Sequence, residues 1–150
     1  MSEPPQRKAK PSTVERMFGR LLVLLIRLGL VRGHFFVLEV KGRKTGRTIS
    51  LPVDPILVDG ERYLVCARGE MQWVQNARAA GEVTLIQSLR RQRYALRELA
   101  PEARPRILKA YLDAYAAEVQ RFFAVPKGSP AEAFVALAPG HPVFALSEQR

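Results

Sequence analysis

The chain has 150 residues and a formal net charge of +10, from 24 Lys+Arg against 14 Asp+Glu. Hydrophobic residues make up 47% and charged residues 25%, ordinary globular usage that excludes a disordered or fibrous chain and, at this length, predicts one domain with its own core. A single cysteine, Cys66, excludes an internal disulfide framework and a multi-thiolate zinc site. The two histidines, His34 and His141, lack clustered partners, so no metal is expected. A reducing, cytoplasmic address follows as the default.

The charge is uneven. Residues 1–50 hold 11 Lys+Arg against 3 Asp+Glu, residues 51–100 hold 7 against 6, and residues 101–150 hold 6 against 5. The excess therefore sits before Pro52 and points to a local anionic partner: a cofactor phosphate, a lipid headgroup layer or nucleic acid.

Residues 1–11 are polar, Pro-rich and basic and read as a disordered arm, leaving 12–150 as the domain. Ser12 or Thr13 caps a helix opening at Val14. Its longest unbroken apolar run, Leu21 to Ile26, is six residues and is bracketed by Arg20 and Arg27. A membrane span needs about 20, so this helix does not cross. Arg16, Arg20 and Arg27 share one stripe, and most of the remaining circumference is apolar. Two readings stand side by side: a core helix with its arginines in solvent, or a basic amphipathic segment over residues 14–31 that rests on a membrane surface or closes an apolar site.

Strands follow. Residues 34–42 are rich in Phe and Val with a period near two. Residues 48–58 carry β-branched residues together with Pro52 and Pro55, so this strand is at an edge, bulged or open to a ligand. Asp59-Gly60 is a hairpin turn, and residues 62–67 return beside it. Residues 71–80 read as a short helix ended by Gly81. Strands are expected over 82–87 and 92–99, joined by a basic turn at Arg90-Arg91. Pro101 opens a helix in which Ile107, Leu108, Tyr111, Leu112 and Tyr115 recur at helical spacing. Residues 129–132 form a capping box for a further helix ended by Pro139-Gly140, and residues 141–146 form the last strand. About six strands and four helices, without regular alternation, predict an α+β fold: a mostly antiparallel sheet or small barrel with peripheral helices.

One segment carries chemistry, by binding. Gly42-Arg43-Lys44-Thr45-Gly46-Arg47 lies between two strands. Its glycines permit a tight turn, and three cations and a hydroxyl surround it, as phosphate binding requires. It is neither a Walker A loop nor a GxGxxG fingerprint. From composition alone, an exposed basic hairpin turn is the favoured reading, since glycine and charge suit any turn. Aromatic residues are not interleaved with the basic ones as stacking platforms would be, so nucleic acid is not the expected partner.

The run GRKTGR, then Pro52, DGERYLVCA, Trp73 with Asn76, and Gly81-Glu82-Val83, resembles the nitroreductase-family deazaflavin-dependent oxidoreductases over about residues 17–146. That resemblance implies a split β-barrel related to FMN-binding barrels. It also implies coenzyme F-420 as cofactor, with FMN as the less favoured alternative. It places the cofactor phosphate on Arg43, Lys44, Thr45 and Arg47. Pro52 and Val53 would run along the ring, Val65, Cys66, Ala67 and Arg68 would line it, and Trp73 and Asn76 would close it. The implied reaction is hydride transfer to a quinone, enone or nitroaromatic, with the protein orienting the reactants and excluding water. Tyr111 and Tyr115, one helical turn apart, are the candidate proton donors. A homodimer is a further expectation. Asp54-Pro55 stands where many relatives carry apolar or aromatic residues, which alters the ring pocket. The competing function is a split-barrel protein that only carries a lipid, FMN or haem.

Overall fold

The computed structural model describes residues 13–30 and 33–149. The arm at 1–11, the alternative cap Ser12 and residue 31 of the amphipathic segment lie outside them. In chain order the elements are α1 (Thr13–Arg27), β1 (Phe36–Lys41), β2 (Thr48–Val53), β3 (Ile56–Val58), β4 (Glu61–Val65), α2 (Gln72–Ala80), β5 (Glu82–Gln87), β6 (Arg90–Glu98), α3 (Pro105–Val119) and β7 (Val143–Glu148). Short 3-10 turns occupy Pro101–Ala103, Gln120–Phe122, Ala131–Phe134 and Ala138–Gly140.

The seven strands form one sheet in the order β2-β1-β5-β6-β7-β4-β3, and all neighbours are antiparallel. The expected single strand over 48–58 is two strands, broken at Asp54-Pro55 because proline cannot donate to a ladder. Both halves are edge strands, and they occupy opposite edges. Three Cα steps separate Val53 from Ile56, at most about 11 Å. The sheet must therefore curl until its two margins meet at this corner, which makes the α+β split barrel expected from the sequence.

Curling gives the sheet an inside and an outside, and both are covered. In β7, Phe144 and Leu146 join the barrel interior, while Val143 and Ala145 face the cluster around α3. In β4, Leu64 points inward and Tyr63 and Val65 face α3. Val74 and Ala77 of α2 close the interior beside Leu38, Val40, Val83 and Leu85. α1 rests on the outer side of β1 and β5 through Ile26, Val37 and Ile86.

Three local departures have physical causes. The hairpin before β6 turns at Ser88-Leu89, with Ser88 at φ 56°, so Arg90 and Arg91 belong to the strand. Pro101 begins only a 3-10 turn, because Pro105 has no N–H to offer the Pro101 carbonyl. Arg104 N–H reaches that carbonyl instead, at 3.2 Å, and α3 starts at Pro105. The predicted capping box does not form: the Ser129 hydroxyl donates to the Pro126 carbonyl at 2.7 Å, and 3-10 turns replace the expected helix. The Asp59-Gly60 turn is as expected, with φ of 51° and 80° suiting a tight hairpin.

Candidate functional site

The basic bend joins β1 to β2. Gly42 N–H donates to the Arg47 carbonyl at 2.8 Å and Gly46 N–H to the Gly42 carbonyl at 2.9 Å. Gly46 adopts φ +72°, a left-handed conformation that favours glycine. Thr45 Oγ1 accepts from Arg47 N–H at 3.2 Å and so shapes the turn. Arg43 fastens the bend to α2. Its guanidinium donates to Asn76 Oδ1 at 2.7 Å, Gln72 Oε1 at 2.8 Å and Gln75 Oε1 at 2.9 Å, and its backbone N–H also reaches Asn76 Oδ1. Asn76 is buried, and Arg43 satisfies its carbonyl. Lys44 and Arg47 are exposed, and their side chains carry no hydrogen bond or ion pair among the described residues.

Arg43, Gly42 and Gly46 edge a groove of about 640 Å³ that extends over Glu39, Lys41, Thr48, Glu82, Thr84 and Arg91 to Ala79-Ala80 at the end of α2. Glu39 is paired with Arg91 at 2.7 Å and Glu82 with Arg93 at 3.0 Å. This compensation leaves Lys41, Lys44 and Arg47 as the cations of the groove and bend without a partner among the described residues.

A second cavity, about 310 Å³, lies at the corner where the sheet margins meet, near the lower end of the roughly 300–1,000 Å³ typical of small-molecule sites. Pro52, Val53, Val65, Cys66, Ala67, Arg68 and Trp73 line it, together with Tyr111. These eight sequence-predicted residues share one wall system, although they come from β2, the end of β4, α2 and α3. Leu22, Phe35, Leu51, Met71, Val119 and Phe122 make most of the remainder apolar. Arg68 stands over the Phe122 ring at 4.7 Å and 3.4 Å from Glu15 of α1, tying three segments together at the cavity. Cys66 is buried, and burial pushes its thiol well up, so it is a small wall residue and not a nucleophile.

The predicted residues thus divide. Seven cofactor-wall residues and Tyr111 line the apolar cavity; Arg43, Lys44, Thr45 and Arg47 stand on the bend; and Asn76 lies beneath it. Tyr115 lines neither hollow. β2 runs between the two, and six strand residues at about 3.3 Å each span ~20 Å.

The tyrosine pair is committed inside the protein. Tyr111 OH donates to Asp54 Oδ1 at 2.6 Å, and Tyr115 OH donates to the Pro55 carbonyl at 2.9 Å. The rings meet edge to face at 5.3 Å, and His34 stacks on Tyr115 at 4.1 Å. Burial and the neighbouring Asp54 push the Tyr111 phenol upward. Burial also raises the Asp54 carboxyl above its ordinary range, against the Tyr111 hydrogen bond and the field of His34, which lower it.

Asp54 and Glu118 both line the apolar cavity, and neither was a candidate on sequence grounds. Asp54 had a visible signal, a carboxylate between prolines in an otherwise apolar strand. Glu118 had none, since an acidic residue near a helix end reads as solvated.

No family model matches the chain, and no curated protein matches it. Solved structures do. One is described as an F420-H2 dependent reductase, with 21% identity over 76% of this chain and 94% of that one, at a TM-score of 0.53. A second, described as a domain-swapped dimer, shares 19% identity over 89% of this chain and 96% of that one, at 0.55. An FAD-binding protein from Mesorhizobium loti shares 11% over 87% and 89%, at 0.50. At these identities the likeness shows the fold alone.

Proposed function

We propose that this chain is an oxidoreductase that binds coenzyme F-420 and passes a hydride from its reduced form to a small organic acceptor, a quinone, an enone or a nitroaromatic. The observation that carries this is the convergence of Pro52, Val53, Val65, Cys66, Ala67, Arg68 and Trp73 on one apolar cavity, with unpaired cations at the other end of β2. A flat ring fits the cavity, and an anionic tail suits Lys44, Arg47 and the groove beyond the bend. An F420-H2 dependent reductase among the structures of like fold supports the cofactor class, and the FAD-binding neighbour leaves FMN as the alternative.

When bound, the reduced deazaflavin supplies the hydride. The chain's own residues supply the rest. Pro52 and Val53 present an edge without a further strand partner, Trp73 and Phe122 exclude water, and Lys44, Thr45 and Arg47 hold the phosphate. Arg43 and Asn76 hold the bend at its height above α2. The acceptor shares the cavity, and α1, through Leu22, forms part of its wall.

α1 also offers a surface to a membrane. Its apolar face is exposed at Val14, Met17, Phe18, Leu21, Leu24 and Leu28, beside Arg16, Arg20 and Arg27. Peripheral contact with an anionic lipid layer through this face, a homodimer like the one named for a structural neighbour, and a cytoplasmic site of action complete the reading. Among the described residues no helix is long and apolar enough to cross a membrane. The apolar lining of the cavity also suits the second reading, a barrel that carries a lipid, FMN or haem without turning it over.

Titration with F-420 and with FMN, each followed by fluorescence or absorbance, tests this. F-420 binds more tightly, and Lys44→Ala weakens it by about tenfold, the loss of one charge-assisted contact of ~1.4 kcal/mol. Lys44→Ala is cleaner than Arg43→Ala, which also unfastens α2. Unchanged F-420 affinity in Lys44→Ala removes the phosphate assignment, and tighter binding of FMN or a fatty acid favours the carrier.

A further inference from the structure

The corner between β2 and β3 holds a carboxyl with no structural duty that an amide could not fill. Pro55 ends the ladder, so Asp54 is free of strand pairing and its side chain meets α3. Oδ1 accepts the Tyr111 hydroxyl proton at 2.6 Å. No Lys or Arg lies within ion-pair distance of it among the described residues. Asp54 nevertheless lines the apolar cavity. An unpaired carboxylate in such surroundings is costly and tends to take up a proton.

The two tyrosines cannot take this role in the arrangement observed. The Tyr111 proton is directed at Asp54 and the Tyr115 proton at the Pro55 carbonyl. His34 turns Nε2 toward Glu118, 3.6 Å from Oε1, with its ring stacked on Tyr115, and it does not line the cavity. Arg68 and Arg121 also line the cavity, but a guanidinium does not give up its proton.

We propose that Asp54 donates the proton that completes reduction of the acceptor in this cavity. The assignment rests on the redox reading above and deepens it. The acceptor gains a hydride, and with it two electrons, at the β carbon of an enone or at one carbonyl oxygen of a quinone; the C–H bond of the hydride donor breaks as the new bond forms. The oxyanion left on a quinone or enone then takes the Asp54 proton, its O–H bond forming as the carboxyl O–H bond breaks. Tyr111 holds the resulting carboxylate by the same hydrogen bond that now fixes Oδ1, and water returns the proton after product leaves. Tyr111 is therefore a positioning residue.

The groups facing Asp54 set its titration. Tyr111 lowers it by hydrogen bonding and His34 by its field, and Glu118, also on α3, raises it. Tyr115 stands beside these, with Arg62 acting on it from β4.

The chain has three aspartates, Asp54, Asp59 and Asp113, so a protein labelled with ¹³C at aspartate carboxyls gives three resonances, and Asp54→Asn assigns one. Asp54 titrates above the ordinary value of 3.8 and Asp113, paired with Lys109, below it. Tyr111→Phe moves the Asp54 midpoint upward, because it removes a bond that favours the carboxylate. With reduced F-420 and a soluble benzoquinone, turnover by the wild-type chain falls as pH rises through that midpoint, about tenfold per unit at the limit. Asp54→Asn, which keeps the volume and the acceptor for Tyr111, turns over at least tenfold more slowly with that limb absent. Asp54→Glu restores the limb. Intact F-420 binding with an Asp54→Asn profile like the wild type overturns the assignment alone, as does an Asp54 midpoint at or below 3.8. No F-420 binding by the wild-type chain overturns the redox reading, and this assignment falls with it.

Discussion

α1 and α3 are both 15-residue helices with one strongly apolar side, and they meet opposite fates. α3 buries Ile107, Leu108, Tyr111, Leu112 and Val119 against β3, β4 and β7, under 3-10 turns that bring Phe134 and Ala138 over it. α1 buries Ile26 alone; Val14 is 76% exposed and Phe18 66%. Amphipathicity states that a face wants cover, whereas the topology decides whether anything stands opposite. Around α3 the polypeptide continues for another thirty residues and folds back over it. α1 comes first in the described chain and rests on the outer side of the sheet, with only Leu22 at the cavity and Glu15 at Arg68 reaching beyond it. α3 thus supplies the stability and the floor of the cavity, and α1 supplies a surface.

The sharpest test of that contrast is a deletion in each helix. Leu112 is fully buried, so Leu112→Ala lowers unfolding free energy by about 2–5 kcal/mol, read as a fall in the denaturant midpoint. A loss comparable to that of an exposed α1 leucine would erase the distinction.

A smaller effect comes from what α3 covers. The folded-state pKa of Asp54 lies above its unfolded value, so the folded chain binds the extra proton. Stability is fullest below pH 3.8 on this account and declines as pH rises through the folded pKa. Chemical denaturation from pH 4 to 8 should show that decline, and Asp54→Asn should flatten it. A slope unaffected by Asp54→Asn would detach the carboxyl from the energetics of this face.

The smallest change in stability belongs to α1. Leu21→Ser with Leu24→Ser shifts the unfolding free energy by no more than about 0.5 kcal/mol, yet it reduces cosedimentation with anionic phospholipid vesicles. A large loss of stability would mean that α1 is a core helix after all. Undiminished vesicle binding would move the lipid contact elsewhere.

Much of this was legible beforehand because it depends on local chemistry. The Asp59-Gly60 turn, the helix ended by Gly81 and the strand over 82–87 rest on residues whose backbone preferences act within a few positions. So does the glycine-flanked bend. Where local signals competed, reading failed: Pro101 and Pro105 each suit a helix start, and only the missing Pro105 N–H decides between them. The edge position of the proline-bearing stretch was open to inference, but its division between two opposite edges was not, because hydrogen-bond partners far along the chain assign it.

The candidate site divides along the same line. That Gly42–Arg47 would be a cationic turn was decided by composition, since glycine and charge act without partners. That Arg43 would fasten to α2 was not, because Gln72, Gln75 and Asn76 lie some thirty positions away. Asp54 is the clearest case. The sequence determined a carboxyl between two prolines; the closing of the sheet and the packing of α3 decided that it would meet Tyr111 in an apolar hollow. A residue's charge belongs to its side chain, whereas its desolvation belongs to everything the fold brings near it.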